Sequence, residues 1–488
     1  SGEVANGTDG TADSGKLVPG QAESYEKTEN DDGTVTYTFK LRDGIKWSDG
    51  KDVTAGDFEY SWKRLVNPET AADYNYMLDG VVNANEIIAG EKDPDELAAK
   101  ALDDKTFEVT LVNDLSYFEE LCAFPAMMPV REDMIEKAGD QWTFDTATYI
   151  SNGAYKLKEW THNSQIVVEK NENYYDVENL GPETITFKLM DDQNAMLSGF
   201  NSGELDFIED VPQAEIANLI ASGDMKIVDY IGTYYVCFQT QKAPFDDPRV
   251  RKAFSLAIDR TYIVNQVTQS GQVEAGGFVP SGVYDADGAD GDDFRTVGGD
   301  YYKPTDADYE ANCDEARQLL ADAGYPNGEG FPVVEYLYNT SDAHKAVAEA
   351  LQFMWEEELG VKVTLNNQEW AAFLQTRKDG DYSIARNGWI ADYNDPISFL
   401  DMWMTGGGNN DAQYANDDYD ALIKQAKTTT DNAERMDLLH QAEDKLIGED
   451  NVLAPLYFYT QKYMLADGIE GMYYCPLGYF FFGYTHQA

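Results

Sequence analysis

Alternating and helically spaced apolar residues divide the chain into strands and helices. Every second residue from Val35 to Leu41 is apolar, which predicts a half-buried strand over 34–41. A helix is predicted next, because Thr54 and Asp57 have the spacing of a capping box ahead of an apolar face. The first 34 residues show no such pattern, and we expect them to be polar and turn-rich.

Later patterns predict a β-rich region followed by an α/β region. Three neighbouring strands are predicted at 155–160, 165–169 and 184–189. Farther along, a strand at 333–337, a helix with apolar residues three and four apart, and a strand at 361–365 form a βαβ unit. Residues 283–310 are predicted to be a long loop, and Asn312 is predicted to start a helix.

Composition narrows the class of protein. The 488 residues contain 36 Lys and Arg against 89 Asp and Glu, a net charge of −53, which would repel nucleic acid and anionic membranes. No apolar run approaches the ~18–20 residues of a membrane span. With 43% hydrophobic residues the chain can bury large cores, so we expect a soluble protein of about three domains.

Motifs for catalysis and metal binding are weak. The four cysteines form no CxxC pair, and neither an HExxH nor a GxSxG motif occurs. The stretch from Gly10 to Lys16 imitates a phosphate loop but continues with Leu17, so it is expected to be a flexible surface segment. The acidic stretch 285–293 lacks EF-hand spacing and is expected to be solvated. We therefore predict no metal, no cofactor and no enzymatic activity.

Two arginines stand out in so acidic a chain. Arg377 and Arg386 both lie close to the sequence Trp389-x-x-Asp392. One interpretation is that they form surface ion pairs. The other is a cleft for a zwitterion, in which Asp392 binds an ammonium group and Arg377 or Arg386 binds a carboxylate through charge-assisted hydrogen bonds.

Several motifs occur together in one known family. They lie at residues 39–42, 46–50, 53–58, 152–157, 244–251, 338–344 and 388–393, the last reading Gly388-Trp389-x-Ala391-Asp392-Tyr393. With them the chain resembles the extracytoplasmic solute-binding proteins of peptide transporters, family 5, and the oligopeptide-binding proteins in particular. The resemblance runs along nearly the whole chain.

The resemblance implies an α/β fold of the periplasmic-binding-protein type (class II, peptide-binder type). Two α/β lobes joined by two crossover strands would close over the ligand, with a smaller α+β domain at the side. The side domain would comprise residues 1–151, the first lobe 152–231 with 461–488, and the second lobe 232–460. No residues here match the Leu-Asp-Pro segment with which relatives begin, so we expect the first lobe to be incomplete.

The resemblance also assigns roles to single residues. Asp392 matches the aspartate that pairs with the peptide ammonium, while Arg377, Arg386 and His344 match positions that meet the C-terminal carboxylate, each for a different peptide length. Trp389, flanked by Ala391 and Tyr393, would pair with the peptide main chain.

Two further positions depart from the family pattern. Cys237 replaces an acidic residue near the ligand's third residue, so a preference for basic side chains there would be lost. Gly232 and Ile390 occupy the positions of a disulfide found in some relatives, so that bridge cannot form.

The function implied is an extracytoplasmic receptor, either periplasmic or a cell-surface lipoprotein. As a monomer it would capture oligopeptides by lobe closure and deliver them to the permease subunits of an ABC transporter. Two alternatives remain at this point: the same fold binding another solute, such as a sugar, a nickel complex or a signalling peptide, and a secreted hydrolase that uses a carboxylate pair.

Overall fold

The structure is a computed structural model that describes residues 2–6, 12–288, 291–304 and 308–488. The chain forms two compact units, one made of residues 1–210 and 465–488 and the other of 211–464. The predicted division into a side domain and two lobes stays a prediction.

The strands of the described residues are numbered in chain order. They are β1 Gly2–Asn6, β2 Ala12–Pro19, β3 Ala22–Glu29, β4 Val35–Leu41, β5 Ala99–Asp103, β6 Thr106–Leu111, β7 Tyr155–Thr161, β8 Gln165–Lys170, β9 Thr184–Lys188, β10 Phe207–Ile208, β11 Lys226–Phe238, β12 Val273–Glu274, β13 Val334–Asn339, β14 Val363–Gln368, β15 Ile384–Ile390, β16 Leu453–Leu465, β17 Ile469–Glu470, β18 Tyr473–Cys475, β19 Tyr479–Phe481 and β20 His486–Gln487.

The α-helices of the same residues follow the same order. They are α1 Ala55–Val66, α2 Ala84–Ile88, α3 Phe118–Leu121, α4 Glu132–Ala138, α5 Gln193–Ser202, α6 Gln213–Ser222, α7 Pro248–Leu256, α8 Arg260–Tyr262, α9 Phe294–Gly298, α10 Tyr309–Asp322, α11 Asp342–Leu359, α12 Trp370–Lys378, α13 Ile397–Leu400, α14 Asp417–Thr428 and α15 Asn432–Glu443. No helix among the described residues is both long and apolar enough to cross a membrane.

The first unit contains an antiparallel sheet in the order β3-β4-β6-β5 and a second one in the order β7-β8-β9. The predicted strand at 34–41 is confirmed as β4, whose alternate side chains are buried. The predicted capping box is also confirmed, since the Thr54 backbone N–H donates to Asp57 Oδ2 over 2.8 Å at the start of α1.

The prediction that residues 1–34 are turn-rich is wrong. β2 and β3 lie there, and β3 pairs along its length with β4. Apolar alternation does not predict β3, because it is an edge strand in which only Ala22 is buried. The strand is defined instead by its backbone hydrogen bonds. Gly15 and Lys16 of the phosphate-loop-like stretch lie within β2, whereas Gly10 lies outside the described residues.

The second unit contains a mixed sheet in the order β16-β11-β15-β13-β14, with β12 also pairing with β16. The predicted βαβ unit is confirmed, because β13 and β14 are parallel neighbours connected through α11. α11 packs its apolar side, including Leu351 and Trp355, onto this sheet. β11 and β15 are antiparallel and lie in the middle of the sheet.

The long loop predicted over 283–310 is interrupted by α9. Asp293 caps this helix by accepting a hydrogen bond from the Thr296 backbone N–H, and Phe294 stacks on His440 with 3.8 Å between ring centroids. The following helix, α10, begins at Tyr309 rather than at Asn312. Both differences arise from contacts and chain turns that local apolar spacing does not reveal.

Candidate functional site

All the candidate residues named from the sequence lie in the second unit, on or near β15. Its antiparallel pairing with β11 sets Tyr234 opposite Gly388, and Val236 opposite Arg386. Successive side chains of a strand point to opposite faces, so Arg386 and Gly388 share one face while Asn387 lies on the other. The strand ends at Ile390, and Asp392 follows two residues later.

Arg386 lies in a cage of tyrosine side chains. Its Cζ is 5.1 Å from the ring centroid of Tyr234, and its Nη2 donates to Tyr459 Oη over 3.3 Å. Tyr336 and Tyr457 complete the cage. The Nε of Arg386 is buried without a hydrogen-bond partner, and no carboxylate among the described residues pairs with its guanidinium. The cage therefore holds a guanidinium group that still has N–H groups free to donate hydrogen bonds.

His344 lies beside this cage in the first turn of α11. Its Nδ1 is 3.4 Å from Tyr234 Oη, and the two rings are 5.6 Å apart. Burial, assisted by the charges of Arg386 and Lys462, lowers the pKa of His344 to about 2. The imidazole is therefore neutral at physiological pH, and it can donate or accept a hydrogen bond without adding a second positive charge.

Arg377 lies in a different environment, near the end of α12. Its Nη2 is 3.5 Å from Asp411 Oδ2, and the same oxygen accepts a 2.9 Å hydrogen bond from Asn387 Nδ2. Only 7% of Arg377 is exposed, and the Asp411 side chain is 16% exposed, so the ion pair lies mostly inside the unit. The interpretation of the arginines as surface ion pairs is wrong for both, because Arg377 pairs inside the unit and Arg386 has no carboxylate partner among the described residues.

Cys237 is fully buried next to the Arg377 ion pair. Its Sγ is 3.2 Å from Tyr382 Oη, which in turn donates to the Asp411 carbonyl oxygen over 2.6 Å. Burial, with a smaller contribution from the Asp411 charge, raises the pKa of the Cys237 thiol to about 12. The side chain is therefore an uncharged thiol with no exposed surface in this unit.

Asp392 lies in the loop after β15, and the backbone around it is fixed on both sides. The Ala391 backbone N–H donates to the Ile231 carbonyl oxygen, and the Asp392 backbone N–H donates to Ser398 Oγ over 2.9 Å. Trp389 Nε1 donates to the Ser398 carbonyl oxygen over 2.7 Å. Tyr393 is buried directly after this loop.

The Asp392 carboxyl group itself has no cationic partner among the described residues. Burial, and to a smaller extent repulsion from Asp401, raises its pKa to about 8. The group is therefore largely protonated at pH 7 in the absence of a ligand. A cation bound next to the Asp392 carboxylate would lower its pKa again.

Glycines allow close packing at two points of the β11–β15 pair. Gly232 lies directly opposite Ile390, so the two positions expected for a disulfide are neighbours but carry no cysteines. All four cysteines are free and buried. A Cβ on Gly388 would overlap with Tyr459 Oη, so a side chain there would displace this hydroxyl group from the tyrosine cage.

The structure adds residues that sequence reasoning missed. They are Asn387 and Asp411 beside Arg377, and Tyr234, Tyr336, Tyr457 and Tyr459 around Arg386. Alternating tyrosines in β16 were a usable signal for part of the cage. Nothing in the sequence distinguishes Asp411 from the other acidic residues.

Metal ligation has no support in the part of the chain that the structure describes. No group of three or more His, Cys, Asp or Glu side chains there could hold a metal ion. In the acidic stretch, Asp285 pairs with His440 at 2.7 Å and Asp293 caps α9, while Asp290 lies outside the described residues.

Comparison with known proteins places these features in a family. Residues 16–411 match the family model described as bacterial extracellular solute-binding proteins, family 5 Middle. The chain is 39% identical over 462 residues to the periplasmic oligopeptide-binding protein OppA of Salmonella typhimurium, covering 94% of this chain and 82% of that protein. It is 36% identical over 462 residues to the dipeptide-binding protein DppE of Bacillus subtilis, with the same coverage.

Solved structures give the same result. Haemophilus influenzae OppA in complex with the peptide RPPGFSPFR superposes with a TM-score of 0.89 at 32% identity, covering 100% of this chain and 92% of that one. The α/β fold of the periplasmic-binding-protein type is thereby confirmed. On these similarities the chain belongs to the bacterial extracellular solute-binding proteins of family 5.

Proposed function

We propose that this protein is an extracytoplasmic receptor that binds oligopeptides and delivers them to an ABC transporter, without catalysing a reaction. One observation carries the proposal: among the described residues, the half-buried carboxyl group of Asp392 has no cationic partner and the half-buried guanidinium of Arg386 has no carboxylate partner, and both lie on β15 or in the loop after it. A peptide carries both missing charges at fixed ends of an otherwise neutral backbone. The names of the relatives support the same ligand class.

In this proposal the peptide ammonium binds Asp392 and the carboxylate binds Arg386, with His344 as a neutral neighbour. The six residue-to-residue steps from Arg386 to Asp392 span at most about 20 Å at ~3.3 Å each. An extended peptide whose length matches this separation, at most about six or seven residues, can therefore satisfy both charges. Longer ones would leave one terminus beyond its partner.

The main chain of β15 offers a place for the ligand backbone. Its ladder with β13 ends at Ala385, so the edge of residues 386–390 that faces away from β11 has no strand partner among the described residues. An extended peptide can add to such an edge through backbone hydrogen bonds, which are common to all sequences. This mode favours broad specificity, with Trp389 and its flanking Ala391 and Tyr393 along the ligand.

We further propose that the receptor acts as a monomer and that closure of the two predicted lobes traps the peptide for the permease. Closure requires only that the closed state gain ligand contacts that the open state lacks. Anchoring as a cell-surface lipoprotein and a free periplasmic form are both compatible with this function.

Calorimetry with matched peptides tests the assigned roles. Asp392→Ala should weaken binding of a free-amine peptide by about 10- to 100-fold, the contribution of a hydrogen bond between charged groups, and leave the N-acetylated peptide nearly unaffected. Asp417→Ala, which removes an exposed carboxylate of the same unit, is the matched control and should change neither. Equal losses for both peptides in Asp392→Ala would contradict the role.

The ligand class itself is tested by mass spectrometry. The purified protein should carry peptides that native mass spectrometry detects and that denaturation releases for identification. Thermal-shift screening against peptide and sugar libraries should give shifts with peptides. Binding of sugars alone, or turnover of either ligand, would contradict the proposal.

A further inference from the structure

The two arginines of the site differ in how much of their charge is available to a ligand. Arg377 has its Nη2 3.5 Å from Asp411 Oδ2, inside the unit, whereas the guanidinium of Arg386 lies among tyrosine side chains and has no carboxylate partner among the described residues. Asp411 is held in place from two sides, by the side chain of Asn387 and by Tyr382, which donates to its carbonyl oxygen. These hydrogen bonds therefore fix the position of Asp411 next to Arg377.

This environment still has unused hydrogen-bonding groups. The Nε and Nη1 atoms of Arg377 are buried without partners, and so is the hydroxyl of Tyr235 beside them. The Asp411 side chain remains 16% exposed, so the pair is accessible from one direction. The group as a whole is neutral, with donors from Arg377 and an acceptor from Asp411.

We infer that Asp411 is a specificity-determining residue that neutralises Arg377, so that this subsite accepts uncharged polar groups and leaves the ligand carboxylate to Arg386. A second carboxylate placed at Arg377 would lie close to Asp411 in a buried, weakly screened site, and like charges there repel. The inference rests on the proposed function. It departs from the expectation that Arg377 and Arg386 both meet the peptide carboxylate.

The test compares glutamate with glutamine along a peptide. In a set of tetrapeptides otherwise made of alanine, each position in turn carries Glu or Gln, and calorimetry gives the ratio of the two dissociation constants. The wild-type protein should show a ratio near one at every position. Asp411→Asn keeps the shape but frees the Arg377 charge, and should favour Glu at one position by at least about tenfold.

Three further variants keep the inference falsifiable if Asp411→Asn folds poorly. In Arg377→Met/Asp411→Asn the preference for Glu should disappear, because the freed cation is gone. Arg377→Met alone should retain the preference for a C-terminal carboxylate over an amide, which Arg386→Met should abolish.

The outcomes separate this inference from the proposed function. If the wild-type protein binds none of the peptides, the proposed function itself fails. If it binds them, but folded Asp411→Asn shows no preference for Glu, or Arg377→Met loses the preference for a carboxylate, only the role of Asp411 is overturned. A preference that persists in the double variant overturns it as well.

Discussion

Peptide binding should be coupled to the loss of a proton from Asp392. The pKa of this buried carboxyl group is about 8 in the unliganded protein, so at pH 7 only about one molecule in ten is ionised. A peptide ammonium pairs with the ionised form. Below pH 8 the affinity for free-amine peptides should therefore fall about tenfold per pH unit, equivalent to ~1.4 kcal/mol.

Above pH 8 the affinity depends on the ionisation of the peptide's own amino group. The α-amino group of a peptide has a pKa of about 7.7–8.0, and above it the ammonium charge is lost. Affinity should therefore be greatest near pH 8 and fall on both sides. At pH 7 about 0.9 proton leaves Asp392 and about 0.1 is taken up by the amine, a net release of about 0.8.

Calorimetry at pH 7 in buffers of different ionisation enthalpy counts these protons directly. An N-acetylated peptide is the control for the ligand, and Asp392→Asn is the control for the protein. Neither should show the release. Affinity that is constant between pH 6 and pH 8, together with no proton release, would refute the pairing of the ammonium with Asp392.

Three further predictions concern the unliganded protein. The pKa of Asp392 is higher in the folded state than the ~3.9 of an unfolded chain, so its contribution to stability is lost as pH rises from 4 to 8. Asp392→Asn should therefore melt several degrees above wild type at pH 8 but not at pH 4, and an equal difference at both would contradict this. His344, with a pKa near 2, should show no NMR titration between pH 5 and pH 8, and a titration in that range would contradict its burial beside Arg386. Cys237 should resist alkylation at pH 7 until denaturant is added, because it is buried and its pKa is near 12; rapid labelling of the native protein would show that the β11 face opens.

The parts of the fold that could be predicted are those in which a buried face requires apolar residues at regular intervals along the sequence. β4 alternates because one face packs on a core, and α11 repeats apolar residues because one side covers the sheet. β3 could not be predicted in this way, since its side chains are almost all exposed. α9 could not be predicted either, because it is short and depends on the stacking of Phe294 on His440, which lies far away in the sequence.

For the site, sequence could name residues but not their partners. Local composition and the family resemblance both name Asp392, Arg377 and Arg386, whereas His344 is named by the resemblance alone. Which arginine is paired could not be known, because Asp411 is 34 residues from Arg377 in the chain and one of 89 acidic residues. The pairing depends on the Asn387 and Tyr382 hydrogen bonds that hold Asp411 in place.

The net charge of −53 therefore says less about the ligand than two side chains, Asp392 and Arg386, that have no oppositely charged partner among the described residues. A buried charge without a counterion costs free energy, and the Asp392 carboxyl group avoids part of that cost by remaining protonated. Arg386 cannot avoid it in this way, and the contacts that stabilise it among the described residues are with tyrosine rings and hydroxyl groups. A ligand with an ammonium at one end and a carboxylate at the other relieves both costs at once. Peptides meet this requirement whatever their side chains, so the proposed site would combine a specific arrangement of charges with tolerance of different peptide sequences.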